Sequence, residues 1–206
     1  MRIRQHVNPL GLHFETFRGE RPPLEPAREI EVEIGCAEAQ FLFERAAHDP
    51  GRLYVGLEIR QELVAFVNRK ARAEALPVHA VFCQAQLHLT EIFPPASVAR
   101  FYVNFPDPWF KRRHQNRRMV DAVLAEAMAE VAKPGADVFV QTDVWELAID
   151  AMSVLERDGR FVNAAGEWSF WRSGNPYGVR SWREQHAEEN ALAIWRLMYR
   201  RAPGPA

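Results

Sequence analysis

Between Ile30 and Asp158 the chain alternates short apolar runs with amphipathic ones, and no other feature constrains its fold as tightly. Runs at 30–35, 53–59, 78–83, 98–105 and 136–141 are rich in the β-branched and aromatic residues of strands. Those at 38–48, 61–75, 117–132 and 145–158 repeat their apolar residues at helical spacing. Lys133-Pro134-Gly135 reads as a turn ahead of the fifth strand. Strands separated by helices pair in parallel through right-handed crossovers, so the pattern predicts an α/β, doubly wound, mostly parallel sheet. The tail departs from it. Runs at 160–163 and 193–200 read as two more strands with no helix pattern of comparable strength between them, which predicts an antiparallel C-terminal edge.

A chain of 206 residues suits one domain with a substantial core. Residues 1–28, rich in Arg, Pro and Gly without a sustained period, are assigned to an N-terminal arm, 29–201 to the folded domain and 202–206 to a flexible tail. Cys36 and Cys83 lie far apart, so neither a zinc site nor a disulfide framework is expected, and a reducing compartment fits. The start carries Arg2 and Arg4 with no apolar run behind them, and no segment approaches the roughly 18 apolar residues of a membrane span. The protein is expected to be cytoplasmic and not in a membrane. A net charge of −1 argues against general affinity for nucleic acid. Locally the balance differs: Lys111, Arg112, Arg113, Arg117 and Arg118 form a basic run free of acids. Positive charge at the start of the expected helix opposes its dipole, so the run needs another reason, such as an anion.

Open α/β sheets bind ligands at the carboxyl ends of their strands. Polar residues gather at those ends here: Glu33, Glu58, Gln84, Asn104, Asp107, Thr142 and Asp143. Glu58 closes the second strand, where an acid can accept ribose hydroxyls or, equally, sit solvated at a helix start. The turn Gly35-Cys36-Ala37-Glu38-Ala39 has one glycine where a phosphate-cradling loop needs several, so no diphosphate cofactor is expected. In N-F-P-D-P-W-F-K, residues 104–111, two prolines fix Asp107 after a strand and Trp109 offers a stacking surface. The plainer alternative is an inert proline turn. His79 and His88 lack metal-ligand spacing, and no metal is expected.

The stretch F-Y-V-N-F-P-D-P-W-F-K-R-R-H-Q-N-R-R-M-V, residues 101–120, closely resembles the signature of bacterial tRNA (guanine-N7)-methyltransferases. Its specific part is P-D-P-W-x-K-x-R-H-x-x-R-R. Glu33-Ile34-Gly35, Tyr54-Val55-Gly56-Leu57-Glu58, Thr142-Asp143 and Ser181-Trp182-Arg183-Glu184 resemble further family elements in the family's order, the last with Ser for Thr, so the likeness spans about residues 28–200. It implies a class I methyltransferase (Rossmann-like) sheet, S-adenosylmethionine as cofactor, tRNA as partner, and methylation of N7 of a variable-loop guanine. Either a monomer or a homodimer is compatible with it. By the same resemblance Glu33, Gly35, Glu58, Gln84 and Asp107 line the cofactor: Glu33 at the methionine end, Glu58 at the ribose, and Gln84 at the adenine where the family usually has Asp. Asp107 is the catalytic candidate, holding the guanine edge and offsetting the charge that develops on it. Lys111, Asp143, Ser181, Trp182, Arg183 and Glu184 fall at substrate-binding positions, and Arg112, Arg113, Arg117 and Arg118 would neutralise tRNA phosphates. The family loop G-x-G-x-G reads Gly35, Ala37 and Ala39 here, which costs on the order of 1 kcal/mol per alanine if the backbone stays left-handed. Those alanines and Gln84 leave a weak or inactive relative that binds RNA or a partner as the alternative.

Overall fold

In the computed structural model, residues 11, 15–108 and 118–203 are described. They form β1 (Ile30–Ile34), α1 (Gln40–His48), β2 (Leu53–Glu58), α2 (Gln61–Glu74), β3 (Val78–Phe82), α3 (Ala85–Ile92), β4 (Val98–Asn104) and α4 (Ala122–Val131). The chain continues through β5 (Ala132–Thr142), α5 (Trp145–Asp158), β6 (Phe161–Asn163), α6 (Trp182–Glu189) and β7 (Trp195–Arg201). The strands make one seven-stranded sheet in the order β3-β2-β1-β4-β5-β7-β6. Neighbours from β3 to β5 pair in parallel, while β7 runs antiparallel between β5 and β6. This is the doubly wound sheet with an antiparallel edge that the alternation predicts.

Two helices escape the sequence pattern. α3 is short, and Gln84 caps it by accepting from the Leu87 amide at 2.9 Å. α6 buries only Glu184 and Ala187, so it lacks the apolar stripe by which a surface helix is recognised. The expected turn at 133–135 instead lies inside β5, where Gly135 adopts φ 80° and the pairing with β4 shifts register between Val98 and Arg100. α4 begins after Asp121, whose carboxylate accepts from the Leu124 amide, and not at residue 117.

Side chains alternate across β1 and define the two layers. Ile30, Val32 and Ile34 enter a core with Leu89, Leu124, Met128 and Met152 from α3, α4 and α5. The opposite layer holds Phe41 and Leu42 of α1, Val67 of α2, and Tyr54, Tyr102 and Phe139 of the sheet. Glu31 and Glu33 lie on that second face, and all five β1 positions are buried. In the segment before β1, Phe17 and Leu24 pack against the first core, and a Cβ on Gly19 would stand 2.6 Å from the Phe82 carbonyl oxygen. Only a residue without a side chain passes so close to the edge strand.

Candidate active site

The carboxyl ends of the neighbouring strands β1, β2, β4 and β5 bring polar side chains together, and the most unusual of these is Glu33. Oε1 accepts a hydrogen bond from Asn104 Nδ2 at 2.7 Å, whereas Oε2 is buried with no hydrogen-bond partner among the described residues. Burial pushes the carboxyl pKa up to about 8; Asn104 opposes the shift and Glu58 adds to it. A buried carboxyl with one oxygen unsatisfied is costly to ionise unless a cationic donor arrives to complete it.

Above it the chain turns through Gly35, Ala37 and Ala39 at φ 77°, 50° and 53°. Both alanines therefore stand in the left-handed conformation that glycine would adopt freely. Glu58 secures the turn: its Oε2 accepts from the Ala37 amide at 2.9 Å, and Oε1 from the amides of Ile59 and Arg60 at 2.9 and 3.0 Å. The Arg60 side chain closes back on the same carboxylate, with Nε 2.8 Å from Oε1 and Nη2 2.8 Å from Oε2. Arg60 is raised above its ordinary pKa, first by this hydrogen bonding, and Asp107 contributes to the same shift. A ribose at Glu58 thus has to share the acid with Arg60 or displace it. Cys36 is buried under the turn, its thiol pKa pushed well up by burial and by Glu58 and Glu33, so it stays neutral and fills space. A Cβ on Gly56 would overlap Cys36 Sγ, which explains the glycine in V-G-L-E.

Gln84 is buried at the end of β3, but its carbonyl oxygen serves the α3 cap, leaving the amide nitrogen as the group able to face a ligand. Asp107 is exposed beyond β4, after Phe105, which takes φ 49° and donates its amide to the Gln141 carbonyl at 2.7 Å. Asp143, following β5, forms an ion pair with Arg183 on α6. Trp182 is 63% exposed and stacks on His186. Ser181 and Glu184 behave differently from their neighbours. Ser181 Oγ caps α6 by accepting from the Glu184 amide at 3.2 Å. Glu184 is 0% exposed and accepts from Arg196 at 2.9 Å, Gln141 at 2.9 Å and Asn175 at 2.8 Å.

Trp109, Lys111, Arg112, Arg113 and Arg117 lie outside the described residues. Arg118 forms an ion pair with Asp150 of α5, and Gln86 Nε2 donates to the backbone carbonyls of Arg118 and Met119, which anchors the end of the basic run to the body. Sequence reasoning named Asn104 only as a polar strand end, and it missed Arg60, Gln141, Asn175 and Arg196. The signal for Gln141 was present: it is the single amide in the apolar run V-F-V-Q-T of β5.

Comparison with known proteins shows the family of the chain. A family model described as "Putative methyltransferase" matches residues 27–197. The tRNA (guanine-N(7)-)-methyltransferase of Synechococcus sp. (strain WH7803) is 37% identical over 98% of this chain and 89% of its own length. That of Thermosynechococcus vestitus is 34% identical over 98% of this chain and 95% of its own. Among solved structures, a variant 16S rRNA (adenine(1408)-N(1))-methyltransferase with cosubstrate SAM from Catenulisporales acidiphilia superposes with a TM-score of 0.62, at 16% identity, over 88% of this chain and 90% of that one. At that identity the likeness concerns the fold alone.

Proposed function

Because this chain belongs to the tRNA (guanine-N(7)-)-methyltransferase family, we propose that it transfers a methyl group from S-adenosylmethionine to N7 of a guanine in the tRNA variable loop, in the cytoplasm. The observation that carries this reading is the buried Oε2 of Glu33, without a hydrogen-bond partner among the described residues, beneath a left-handed turn at the carboxyl end of β1. An α-ammonium group fits that oxygen: it supplies the missing donors and the positive charge that a desolvated carboxylate lacks. S-adenosylmethionine carries such a group and supplies a methyl on a cationic sulfur.

Around it Gly35 leaves room for close approach, Glu58 accepts the ribose hydroxyls as Arg60 yields, and Gln84 meets the adenine through its amide nitrogen. Little proton transfer is asked of the protein, since guanine N7 presents an in-plane lone pair; the residues orient and compensate charge. Asp107 holds the guanine edge and offsets the positive charge that develops on the ring. Lys111, Asp143, Trp182 and Arg183 contact the nucleotide, while Ser181 and Glu184 act from beneath by fixing α6. Arg112, Arg113, Arg117 and Arg118 run along phosphates, and the Asp150 partner of Arg118 limits its share.

The test is transfer of labelled methyl to a tRNA transcript, alongside a transcript whose variable-loop guanine is replaced by 7-deazaguanine, which has carbon at the reacting position. Label is expected on the first and not the second. Asp107→Asn should slow turnover by ~10–1000-fold, with the loss falling mainly on kcat and less on cofactor affinity, since the isosteric amide keeps any contact to the cofactor that does not need the charge. Equal labelling of both transcripts, or of neither, would refute the reading.

A further inference from the structure

The acid that meets the cofactor is not positioned by its own strand alone. Asn104, Gln141 and Arg196 lie side by side on β4, β5 and β7, in the cross-strand registers Asn104↔Gln141 and Gln141↔Arg196. Arginine can only donate hydrogen bonds. Arg196 Nε donates to Gln141 Oε1 at 3.2 Å, so the Gln141 amide must turn its nitrogen the other way. That nitrogen donates to Asn104 Oδ1 and to Glu184 Oε2, both at 2.9 Å. With its oxygen engaged, Asn104 must present Nδ2 to Glu33, where it donates to Oε1 at 2.7 Å. The direction of every bond in the series follows from the one residue that cannot accept.

The far end is equally constrained. Arg196 Nη2 and Asn175 Nδ2 hold the two oxygens of Glu184, at 2.9 and 2.8 Å, and Glu184 sits on α6 between Arg183, which pairs with Asp143, and the body of the helix. Gln141 and Glu184 are both 0% exposed, so solvent does not compete with these bonds.

We propose that Arg196, Gln141 and Asn104 are positioning residues that form a one-way hydrogen-bond relay, aiming Oε2 of Glu33 at the cofactor and coupling its aim to α6, the helix on the substrate side. The inference rests on the reading that Glu33 receives the cofactor's ammonium group. Without the relay the Asn104 amide is free to turn its oxygen toward Glu33, where it accepts from the protonated carboxyl and repels the carboxylate that must form when the ammonium group binds.

The experiment is a double-mutant cycle read by calorimetry with S-adenosylhomocysteine, which retains the ammonium group, and by steady-state methyl transfer. Gln141→Leu removes the relay. Arg196→Lys keeps a cation beside Glu184 but drops the Nε donor, and so frees the Gln141 amide with less risk to folding. Gln141→Leu should weaken binding about tenfold and Arg196→Lys about threefold, with KM for S-adenosylmethionine raised in the same order and the melting temperature of Arg196→Lys within a few degrees of wild type. In a Glu33→Gln background neither substitution should weaken binding further, because the group they aim is gone. Losses that simply multiply in the double variants, or an Arg196→Lys protein that binds as tightly as wild type, would overturn the relay while leaving the proposed function standing. Wild-type protein that binds neither S-adenosylmethionine nor S-adenosylhomocysteine would overturn both.

Discussion

Glu31 and Glu33 stand two residues apart on one face of β1, both buried, and the protein treats them in opposite ways. Glu31, toward the start of the strand, is surrounded by cations: Arg45 at 3.1 Å, Arg100 at 2.6 Å and Arg52 at 3.3 Å, with the Tyr102 hydroxyl donating at 2.7 Å. Burial and the Glu31 charge push the Tyr102 pKa far above its ordinary range, so the hydroxyl remains a donor. Glu33, at the strand's end, has one amide and an oxygen with no hydrogen-bond partner among the described residues. The sheet thus carries a compensated acid where it is only scaffold and an under-compensated one where a ligand belongs. A buried charge by itself says little about function; the shortage of partners is the informative part.

The largest expected effect comes from breaking the compensated side. Glu31→Gln leaves Arg45, Arg52 and Arg100 crowded without their shared anion and should destabilise the chain by about 3–5 kcal/mol in denaturant unfolding. The fraction that stays folded should bind S-adenosylhomocysteine normally. At Glu33 the pattern should reverse. Glu33→Gln is expected to weaken binding ~10–100-fold without lowering stability.

The pH dependence sharpens that contrast. A carboxyl whose pKa is raised to about 8 in the folded chain, from 4.5, contributes stability that is complete below the lower value and lost as pH rises through the upper one. Glu33→Gln cannot ionise, so its melting temperature should gain on wild type between pH 5 and pH 9 in the absence of ligand. The smallest effect belongs to the turn above. Ala37→Gly relieves a left-handed alanine but loosens the unfolded chain, so it should change stability by less than about 1 kcal/mol and leave binding unchanged or slightly tighter.

Much of this was legible in the residues, and the exceptions have physical causes. The alternation of elements was legible because the strands are short apolar runs buried on both faces, as in β1 and β2, while the expected helices repeat their apolar residues at helical spacing. α6 stayed hidden because W-R-E-Q-H-A-E-E is held by a cap and one buried glutamate, not by an apolar stripe. In I-E-V-E-I the alternation is that of a strand with one solvated face, yet both glutamates are inside, since their partners Arg45, Arg100 and Asn104 come from elements distant in sequence. The same distance concealed Arg196 and the partners of Gln141, although the lone amide of Gln141 in an apolar strand was itself visible. Glu58 was visible as an acid at a strand end, but nothing in the local sequence told that Arg60 folds back onto it.

The central claim is that Glu33 is completed by the cofactor's ammonium group, and proton counting addresses it most directly. At pH 7 a carboxyl with its pKa near 8 is largely protonated, and binding a cation to it must expel that proton. Titration calorimetry with S-adenosylhomocysteine at pH 7, in buffers of differing ionisation enthalpy, should show release of about one proton per bound ligand for wild type and about none for Glu33→Gln. Wild-type binding that releases no proton, or equal release from both proteins, would contradict the account.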